Sequence, residues 1–345
     1  MVKLLRYILF PISLIYGCLV AFRNFLFNKK ILKSSEFDVK TIQVGNLSAG
    51  GTGKTPHIEY LIRLLKNDFK IETLSRGYGR KTHGFQKADE NSTAKDIGDE
   101  PLQFYTKFPD INVNVDAKRV DGVMEIMTQD SPPEVILLDD AFQHRAIKSG
   151  FSILLTDYNS PFYKDFMLPT GNLREFSIGK KRADLIVVTK SPDDLIEESQ
   201  EKIISKINTP DIPVFFSKIN YGNVVSLWDN NQISLQDFDE IVLVTGIANP
   251  TPLVGYLKQF ELKSYHIKYP DHHPFSEKNI TEIISKFEQL NSNKKLILTT
   301  EKDAMRLKSH DKLKRYPMFY IDIEIQIIGK QKEFNKLILD YVRAN

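Results

Sequence analysis

A glycine-rich loop followed by lysine and threonine is the strongest chemical signal in the sequence, within the segment TIQVGNLSAGGTGKTP (41–56). The β-type run before the loop and the apolar periodicity after it predict strand, loop and helix, the layout of a phosphate-binding P-loop. Glycine lets backbone N–H groups turn toward phosphate oxygens, and the start of the following helix adds partial positive charge. We therefore expect Lys54 to contact the β- and γ-phosphates and Thr55 to hold Mg²⁺.

The predicted nucleotide-binding site covers the whole loop. It consists of eight consecutive residues, namely Ser48, Ala49, Gly50, Gly51, Thr52, Gly53, Lys54 and Thr55. Ser48 occupies the position at which the strict pattern has its first glycine. The alternative is a glycine-rich turn in which Gly-Lys-Thr occurs by chance, but the flanking strand and helix favour a nucleotide site.

A second signal is a short apolar run that ends in two acidic residues. Val135–Leu138 predicts a buried strand, and Asp139 and Asp140 follow it directly. This is the Walker B arrangement, which brings a carboxylate beside Mg²⁺ at the end of a strand. Turn-forming aspartates at a strand end are the structural alternative. His144 and Arg145 are close enough in sequence to contact substrate or phosphate, or else begin a helix.

Two further loops carry charged residues whose role the local pattern leaves open. Arg76 and Arg80 lie in SRGYGR (75–80), directly after a predicted strand. Open α/β sheets hold ligands at the C-terminal ends of their strands, so these arginines either bind an anion or are solvated. Asp99 in GDEP (98–101) opens a predicted helix, where an N-cap explains the carboxylate without any function. A catalytic role for Asp99 is the alternative.

Later loops leave the same choice between structural and functional roles. Arg174 and Glu175 form either an ion pair or a ligand clamp. His272 and His273 are adjacent, but they lack nearby cysteines and the i, i+4 spacing of zinc ligands. We therefore interpret these histidines as a general base or substrate contact, or as turn residues.

These residues must be positioned by strands and helices that alternate along the chain. The alternation predicts an α/β fold, with a P-loop NTPase-like doubly wound sheet and a smaller C-terminal α/β domain. We expect three parts: an N-terminal membrane-associated helix (1–34), a P-loop core (35–218) and the C-terminal domain (219–345). Val214–Lys218 and Val224–Trp228 predict a β-ribbon that crosses between the two domains. The last helix is expected to pack back on the core.

The composition is that of a globular protein. The 345 residues are 41% hydrophobic and 26% charged, which suffices for two domains and a sizeable core. The formal charge of +3 is too small to indicate nucleic acid binding. Cys18 is the single cysteine, which excludes an internal disulfide and suits a reducing compartment.

The N-terminal segment differs from the rest of the chain, because Ile8–Phe22 is a run of 15 uncharged, mostly apolar residues. A spanning helix needs about 20 such residues, and Pro11 lies near the start of this run. Basic residues flank it on both sides: Lys3, Arg6, Arg23, Lys29, Lys30 and Lys33. The pattern predicts a helix on or in the cytoplasmic leaflet, with a signal peptide or a buried helix as alternatives.

Eight segments, in this order, resemble those of the tetraacyldisaccharide 4'-kinases, the lipid A 4'-kinases of Gram-negative bacteria. They are VGNLSAGGTGKTP (44–56), LSRGYGR (74–80), GDEP (98–101), LLDDAFQHR (137–145), LPTGNLRE (168–175), TGIANP (245–250), YPDHHPF (269–275) and TTEKDAMRL (299–307). The resemblance extends over most of the chain after residue 40. Ala141 departs from it, since the family usually has glycine after the paired aspartates. A methyl group is tolerable there unless the backbone needs positive φ.

The resemblance implies transfer of the ATP γ-phosphate to the 4'-hydroxyl of a tetraacyldisaccharide 1-phosphate, with ATP and Mg²⁺ as cofactors. It implies that Asp99 is the base that takes the hydroxyl proton and that His272 is its orienting partner. Asp139 or Asp140 would hold Mg²⁺ with Thr55, and Lys54 the phosphates. The residues expected to contact substrate or phosphate are Arg76, Gln143, His144, Arg174 and Glu175.

The resemblance also implies that the N-terminal helix binds the cytoplasmic face of the inner membrane, with neither nucleic acid nor an obligate protein partner. Two rival hypotheses are compatible with the glycine loop alone. One is a membrane-recruited P-loop ATPase that switches a protein partner. The other is a soluble small-molecule kinase whose N-terminal helix is only structural.

Overall fold

The computed structural model describes residues 6–229 and 231–344, so Lys3 lies outside the described residues. The strands are β1 (Lys40–Asn46), β2 (Ile71–Ser75), β3 (Gln86–Lys87), β4 (Asn112–Val115), β5 (Val135–Asp139), β6 (Phe151–Asp157), β7 (Leu185–Thr189), β8 (Val214–Ser226), β9 (Gln232–Ile233), β10 (Glu240–Thr245), β11 (Lys263–Lys268), β12 (Lys295–Thr300) and β13 (Met318–Ile327). The helices are α1 (Phe10–Asn28), α2 (Lys54–Leu65), α3 (Ala94–Ile97), α4 (Asp99–Lys107), α5 (Arg119–Met127), α6 (Glu197–Ile207), α7 (Thr251–Leu257), α8 (Glu277–Glu288), α9 (Glu301–Leu307) and α10 (Gln331–Arg343).

The N-terminal half of the sheet has β1 at its centre, parallel to β5 on one side and to β6 on the other. The strands β2 and β4 continue the parallel order beyond β5, and the short strand β3 closes that edge in antiparallel orientation. The apolar residues of β5 are fully buried, as a strand covered on both faces requires. Because the strands are parallel, the glycine loop after β1 and Asp139 at the end of β5 lie at one edge of the sheet.

The C-terminal half continues the same sheet in the order β8, β13, β12, β10, β11. The predicted strands Val214–Lys218 and Val224–Trp228 are wrong in one respect, because they form the single strand β8. The start of β8 pairs with β7, and most of the rest pairs in antiparallel fashion with β13. β13 pairs with β8 on both sides of Gly222, where the register shifts, so the chain continues as one strand. β8 and β13 thus make the ribbon between the two halves.

Each half encloses its own apolar core. Ile42 of β1 and Ile58 of α2 belong to the first core, together with Phe334 and Ile338 of α10. The closing helix α10 therefore packs on the N-terminal half, although it follows the C-terminal half in sequence. A second core forms between the strands β10 and β12 and the helix α8. The β8–β13 ribbon spans the boundary between the two cores.

The helix α1 packs on the molecule through a narrow stripe of small and polar residues. Ser13 is buried and its hydroxyl donates to Oγ1 of Thr170 at 2.7 Å. Gly17 is also buried, and it lies so close to the ring of Phe176 that any side chain there would collide with the ring. Large apolar side chains such as Ile15 and Leu19 are exposed on the opposite side. Within residues 6–229 and 231–344, α1 is the one helix long and apolar enough to cross a membrane by length and composition.

Candidate active site

A cavity of about 860 Å³ lies where the C-terminal ends of the strands in both halves meet. The glycine loop and Asp139 form one wall, and residues that follow β10, β11 and β12 form the wall opposite. Side chains of α1, among them Tyr16 and Arg23, complete the lining. The cavity therefore lies between a phosphate loop, a second α/β unit and the apolar N-terminal helix.

The glycine loop has the backbone that its sequence predicts. Gly50 and Gly53 have φ angles of 115° and 87°, which side chains rarely tolerate, and Gly53 directly precedes α2. The residues from Gly50 to Thr55 line the cavity. Ser48 and Ala49 do not, because they pair with the loop before Arg174: the Ala49 N–H donates to the Asn172 carbonyl at 2.7 Å. The part of the loop that lines the cavity thus begins at Gly50, and the eight-residue nucleotide site stays a prediction.

The two consecutive aspartates have different environments. Burial raises the pKa of Asp139 to about 7, and the charges of Glu100 and Asp140 add to the increase. Burial would also raise the pKa of Asp140, but Lys54 and Arg174 more than offset it and hold that pKa below its usual range. Asp140 accepts from the Arg174 guanidinium at 3.1 Å, and its carboxylate lies 3.7 Å from the Lys54 ammonium. Asp140 is therefore ionised and bridges the glycine loop to Arg174.

The backbone conformation at Asp140 and Ala141 explains why alanine is tolerated after the two aspartates. Asp140 takes the left-handed conformation, with a φ of 47°, whereas Ala141 is not among the residues with positive φ. Ala141 is buried in an apolar cluster beside β5. A methyl group at this position adds apolar contacts and no backbone strain.

Thr55, Asp139 and Asp140 fit a magnesium ion. Oδ1 of Asp139 is buried and has no hydrogen-bond donor among the described residues, and Ser75 approaches the other oxygen at 3.4 Å. An uncompensated buried carboxylate oxygen is costly unless a cation or donor joins it. Threonine hydroxyl and carboxylate oxygens are hard donors of the kind that Mg²⁺ prefers. These three residues could therefore hold the ion beside the phosphates.

Asp99 does not have the N-cap role that its position at a helix start indicates. The N-cap of α4 is Gly98, whose φ of 95° turns the chain, and Asp99 is the first helical residue. Its side chain is consequently free to face the other half, where Oδ2 lies 3.1 Å from Nδ1 of His272. The imidazole N–H does not point straight at this oxygen, so Oδ2 has no aligned donor within the described part of the chain.

The charge state of Asp99 follows from its neighbours. Burial would raise its pKa, but His272, Lys302 and Glu100 together hold it well below the usual range. The carboxylate is therefore ionised at neutral pH. Asp99 itself does not line the cavity, but its neighbours Glu100 and His272 do, so a ligand hydroxyl that reaches between them could pass its proton to this buried, ionised carboxylate.

Several residues around Asp99 were missed from the sequence. The Lys302 ammonium donates to Oε1 of Glu100 at 2.8 Å and lies 3.0 Å from Nε2 of His272. Asp99, Glu100 and His272 bring possible ligand atoms within 4.8 Å of one another, but Lys302 already supplies positive charge between them. The only sequence signal for Lys302 was its presence in TTEKDAMRL (299–307), one of the segments shared with the family.

Four of the predicted substrate contacts line the cavity, namely Arg76, Gln143, His144 and Arg174. Glu175 does not. Its carboxylate is 1% exposed and accepts from Asn24, Gln143 and Arg182. Glu175 thus fastens α1 to the loop that carries Arg174.

The remaining candidates have structural partners. Arg145 donates to the Asn24 carbonyl at 2.8 Å and stacks over Phe27, so it holds α1 instead of contacting phosphate. His273 stacks on Tyr269 and bonds Asn279, as a structural turn histidine does. Of the two adjacent histidines, only His272 faces Asp99.

The fold and the cavity together define a P-loop phosphotransferase with an ionised carboxylate opposite its glycine loop. A family model described as Tetraacyldisaccharide-1-P 4'-kinase matches residues 5–343. The chain is 47% identical over 346 residues to the tetraacyldisaccharide 4'-kinase of Flavobacterium johnsoniae, covering 99% of each. It is 44% identical over 354 residues to that of Bacteroides thetaiotaomicron, covering 98% of this chain and 93% of the relative.

The structure is also similar to a solved one, the "apo" form of LpxK from Aquifex aeolicus in complex with ATP. The TM-score is 0.78 at 28% identity, over 98% of this chain and 99% of the other. The chain therefore belongs to the tetraacyldisaccharide-1-P 4'-kinase family. The predicted family, fold class and kinase activity are confirmed.

Proposed function

We propose that the enzyme transfers the γ-phosphate of ATP to the 4'-hydroxyl of tetraacyldisaccharide 1-phosphate, with Asp99 as the general base. The family supplies the reaction. The observation that carries the role of Asp99 is its buried, ionised carboxylate 3.1 Å from His272, a residue that lines the same cavity as the glycine loop.

ATP occupies the cavity with its phosphates on the glycine loop. Backbone N–H groups between Gly50 and Gly53, together with the Lys54 ammonium, contact the β- and γ-phosphates. Apolar residues of the wall opposite the glycine loop, among them Ile247, Pro252 and Leu253, can accept the adenosine. The ATP complex of the Aquifex aeolicus relative supports this choice of nucleotide.

Thr55, Asp139 and Asp140 hold Mg²⁺ against the phosphates. When bound, the ion neutralises the charge on the β- and γ-oxygens. Arg174 also approaches this point, since its guanidinium bonds Asp140 and lines the cavity. Positioning and charge neutralisation therefore supply most of the catalysis, as in other phosphoryl transfers.

In the transfer step, the 4'-oxygen forms a bond to the γ-phosphorus while the bond from that phosphorus to the β-phosphate oxygen breaks. The electron pair of the broken bond leaves with ADP, and the hydroxyl proton passes to Asp99. His272 orients the carboxylate and faces it with its Nδ1 atom. Arg76, Gln143 and His144 contact the sugar or its phosphate.

The substrate reaches the cavity from the membrane along α1. The outer side of this helix is apolar, and the arginine and lysines that flank it can face anionic headgroups. Tyr16, Val20 and Arg23 of the same helix line the cavity. A helix lying on the cytoplasmic face of the inner membrane can thus pass the disaccharide inward while the acyl chains stay in lipid.

The protein divides into the core 35–218 and the C-terminal unit 219–345, with 1–34 as the membrane helix. The β8–β13 ribbon is the hinge, and opening of the cleft would separate His272 from Asp99, whose side chains lie 3.1 Å apart in the structure. The base is then complete only in the closed form.

The test is transfer of label from γ-labelled ATP to the disaccharide 1-phosphate in mixed micelles with Mg²⁺. We expect labelled lipid with the wild type and a loss of at least about 100-fold in Asp99→Asn and Lys54→Ala. Asp193→Asn, which changes an exposed carboxylate outside the cavity, is the matched control and should keep full activity.

Two outcomes would contradict the proposal. Release of the label only as free phosphate would favour the rival ATPase that switches a protein partner. Full activity of a chain lacking residues 1–30 toward a detergent-free substrate would favour the soluble kinase.

A further inference from the structure

We propose that Lys302 is a positioning residue of the reaction, which fixes the tautomer of His272 and so keeps Asp99 a competent base. The inference rests on the proposed function, because it needs Asp99 to accept the proton of the 4'-hydroxyl. Lys302 itself touches neither the hydroxyl nor the γ-phosphate in this role.

Hydrogen-bond chemistry leaves one arrangement for the three groups. An ammonium group has only donors, and Lys302 lies 2.8 Å from Oε1 of Glu100 and 3.0 Å from Nε2 of His272. At hydrogen-bond distance from an ammonium, Nε2 must accept and therefore carries no proton. The imidazole proton is then on Nδ1, the atom 3.1 Å from Oδ2 of Asp99.

Lys302 is held in its charged form. Burial would lower its pKa, but the carboxylates of Glu100 and Asp99 more than offset burial and raise it. For His272 the carboxylate of Asp99 has the largest effect and raises the pKa, while burial and the charge of Lys302 lower it. Lys302 and Asp99 therefore act on His272 in opposite directions.

Every element packed around His272 contributes to this balance. Asp99 and Glu100 face it from the start of α4, and Asp271 of its own loop lies 4.0 Å from Nε2. The Tyr78 ring, from the loop after β2, is 5.0 Å away. Lys302 of α9 is the positive group at hydrogen-bond distance from the imidazole, and Arg306 of the same helix lies 3.7 Å from Oδ2 of Asp99.

The fold places Lys302 firmly. It is the second residue of α9, whose first turn is capped by the Thr300 hydroxyl accepting from the Asp303 N–H at 3.1 Å. The preceding residue, Glu301, pairs with Lys107 at the far end of α4. Both ends of α4 are therefore joined to the start of α9, by Glu100 with Lys302 and by Lys107 with Glu301.

Loss of the ammonium would change the protonation of His272. Nε2 would then face Glu100 and Asp271 with no opposing positive charge, so the pKa of His272 would rise. An imidazolium beside Asp99 binds the carboxylate more strongly and makes it a weaker base. Activity would return only at higher pH, where the imidazole loses the added proton.

The experiment compares wild type, Lys302→Met and Lys302→Arg by kcat and KM of lipid phosphorylation, from about pH 6 to about pH 9. In Lys302→Met we expect kcat at pH 7 to fall about 10-fold or more. The acid limb of its pH–kcat profile should move about one pH unit upward, because one charged hydrogen bond has an effect of this size on a pKa. Lys302→Arg retains charge and donors and should keep the limb in place. The KM for ATP should stay within about 3-fold, because Lys302 acts through the base.

A second measurement uses the wild type, so it does not require the Lys302→Met variant to fold. Nitrogen NMR of ¹⁵N-histidine-labelled wild type, with His272→Gln to assign the signal, should give a protonated Nδ1 and a bare Nε2. A protonated Nε2 would overturn the inference, and so would a loss of kcat in Lys302→Met that is equal at every pH. Absence of lipid phosphorylation in the wild type would instead overturn the proposed function.

Discussion

Replacing Lys107 with methionine tests how the two halves are held together. The Lys107 ammonium lies 2.8 Å from Glu59 of α2, 2.9 Å from Glu301 of α9 and 2.5 Å from Asp322 of β13. Glu59 is completely buried and Glu301 is 5% exposed. One lysine thus contacts carboxyl groups from three elements, while methionine would fill the space of its stem without the charge.

The cost follows from what happens to Glu59. Arg63 and Gln103 still contact it, but without Lys107 its carboxylate would be protonated at pH 7. Keeping Glu59 protonated at pH 7, about 2.7 pH units above an ordinary pKa of ~4.3, costs ~4 kcal/mol. This is the upper limit of the loss of stability. Burial already raises the pKa of Glu59 in the wild type, so part of that cost is present before the substitution. Glu301 adds little, because burial raises its pKa to about 8. We expect a loss of about 3 kcal/mol, in the range for breaking a buried pair.

The loss of stability in Lys107→Met should become larger as the pH rises. The pKa of Glu59 is higher in the folded protein than in the unfolded chain, so its destabilising effect grows as pH rises. Near pH 5, less than about one pH unit above the ordinary pKa of ~4.3, protonating the group costs little, and the difference should shrink to ~1 kcal/mol or less.

The assay is urea unfolding of Lys107→Met and wild type at about pH 7 and about pH 5, compared by midpoint and slope. Lys202→Met is the matched control, because the Lys202–Glu198 pair is exposed and should contribute less than about 0.5 kcal/mol. A loss below about 1 kcal/mol at pH 7, or an equal loss at both pH values, would refute the reasoning.

Three further results are expected. Burial holds the pKa of His57 at about 4, below ~6.5 in the unfolded chain, so stability present above pH 6.5 is lost as pH falls toward 4. Measured by urea unfolding over this pH range, His57→Gln should therefore lose up to ~3 kcal/mol less stability than the wild type. Gly17→Leu, which collides with Phe176, should raise KM for the lipid in micelles and leave KM for ATP unchanged. Chelation of Mg²⁺ should abolish phosphate transfer in the labelling assay, and added Mg²⁺ should restore it.

The parts of the site that the sequence predicts well are those encoded by neighbouring residues. The glycine loop carries its own φ requirements, and the apolar run Val135–Leu138 can only be a buried strand. Both features determine backbone geometry within a few residues. The position of Lys54 beside Asp140 then follows from the parallel pairing of β1 with β5.

Features that depend on distant partners were predicted less well. Asp99 has the position of an N-cap, but its side chain faces His272 from the other half. The two strands predicted at 214–218 and 224–228 are one strand, β8, because β13 pairs with it on both sides of Gly222. Glu175 has the charge of a ligand contact but serves as an anchor for α1, since Asn24 and Arg182 donate to it. In each case the deciding partner is far away in sequence.

The placement of the base at the boundary between the halves has a chemical consequence. Asp99 lies on the N-terminal half, while the groups that orient it and hold its charge, His272 and Lys302, lie on the C-terminal half. Separation of the halves would therefore remove the groups that lower the pKa of Asp99. The Lys107 cluster joins the same two helices, from the last residue of α4 to the first residue of α9. The buried charges that stabilise the contact between the halves thus also determine whether Asp99 can act as a base.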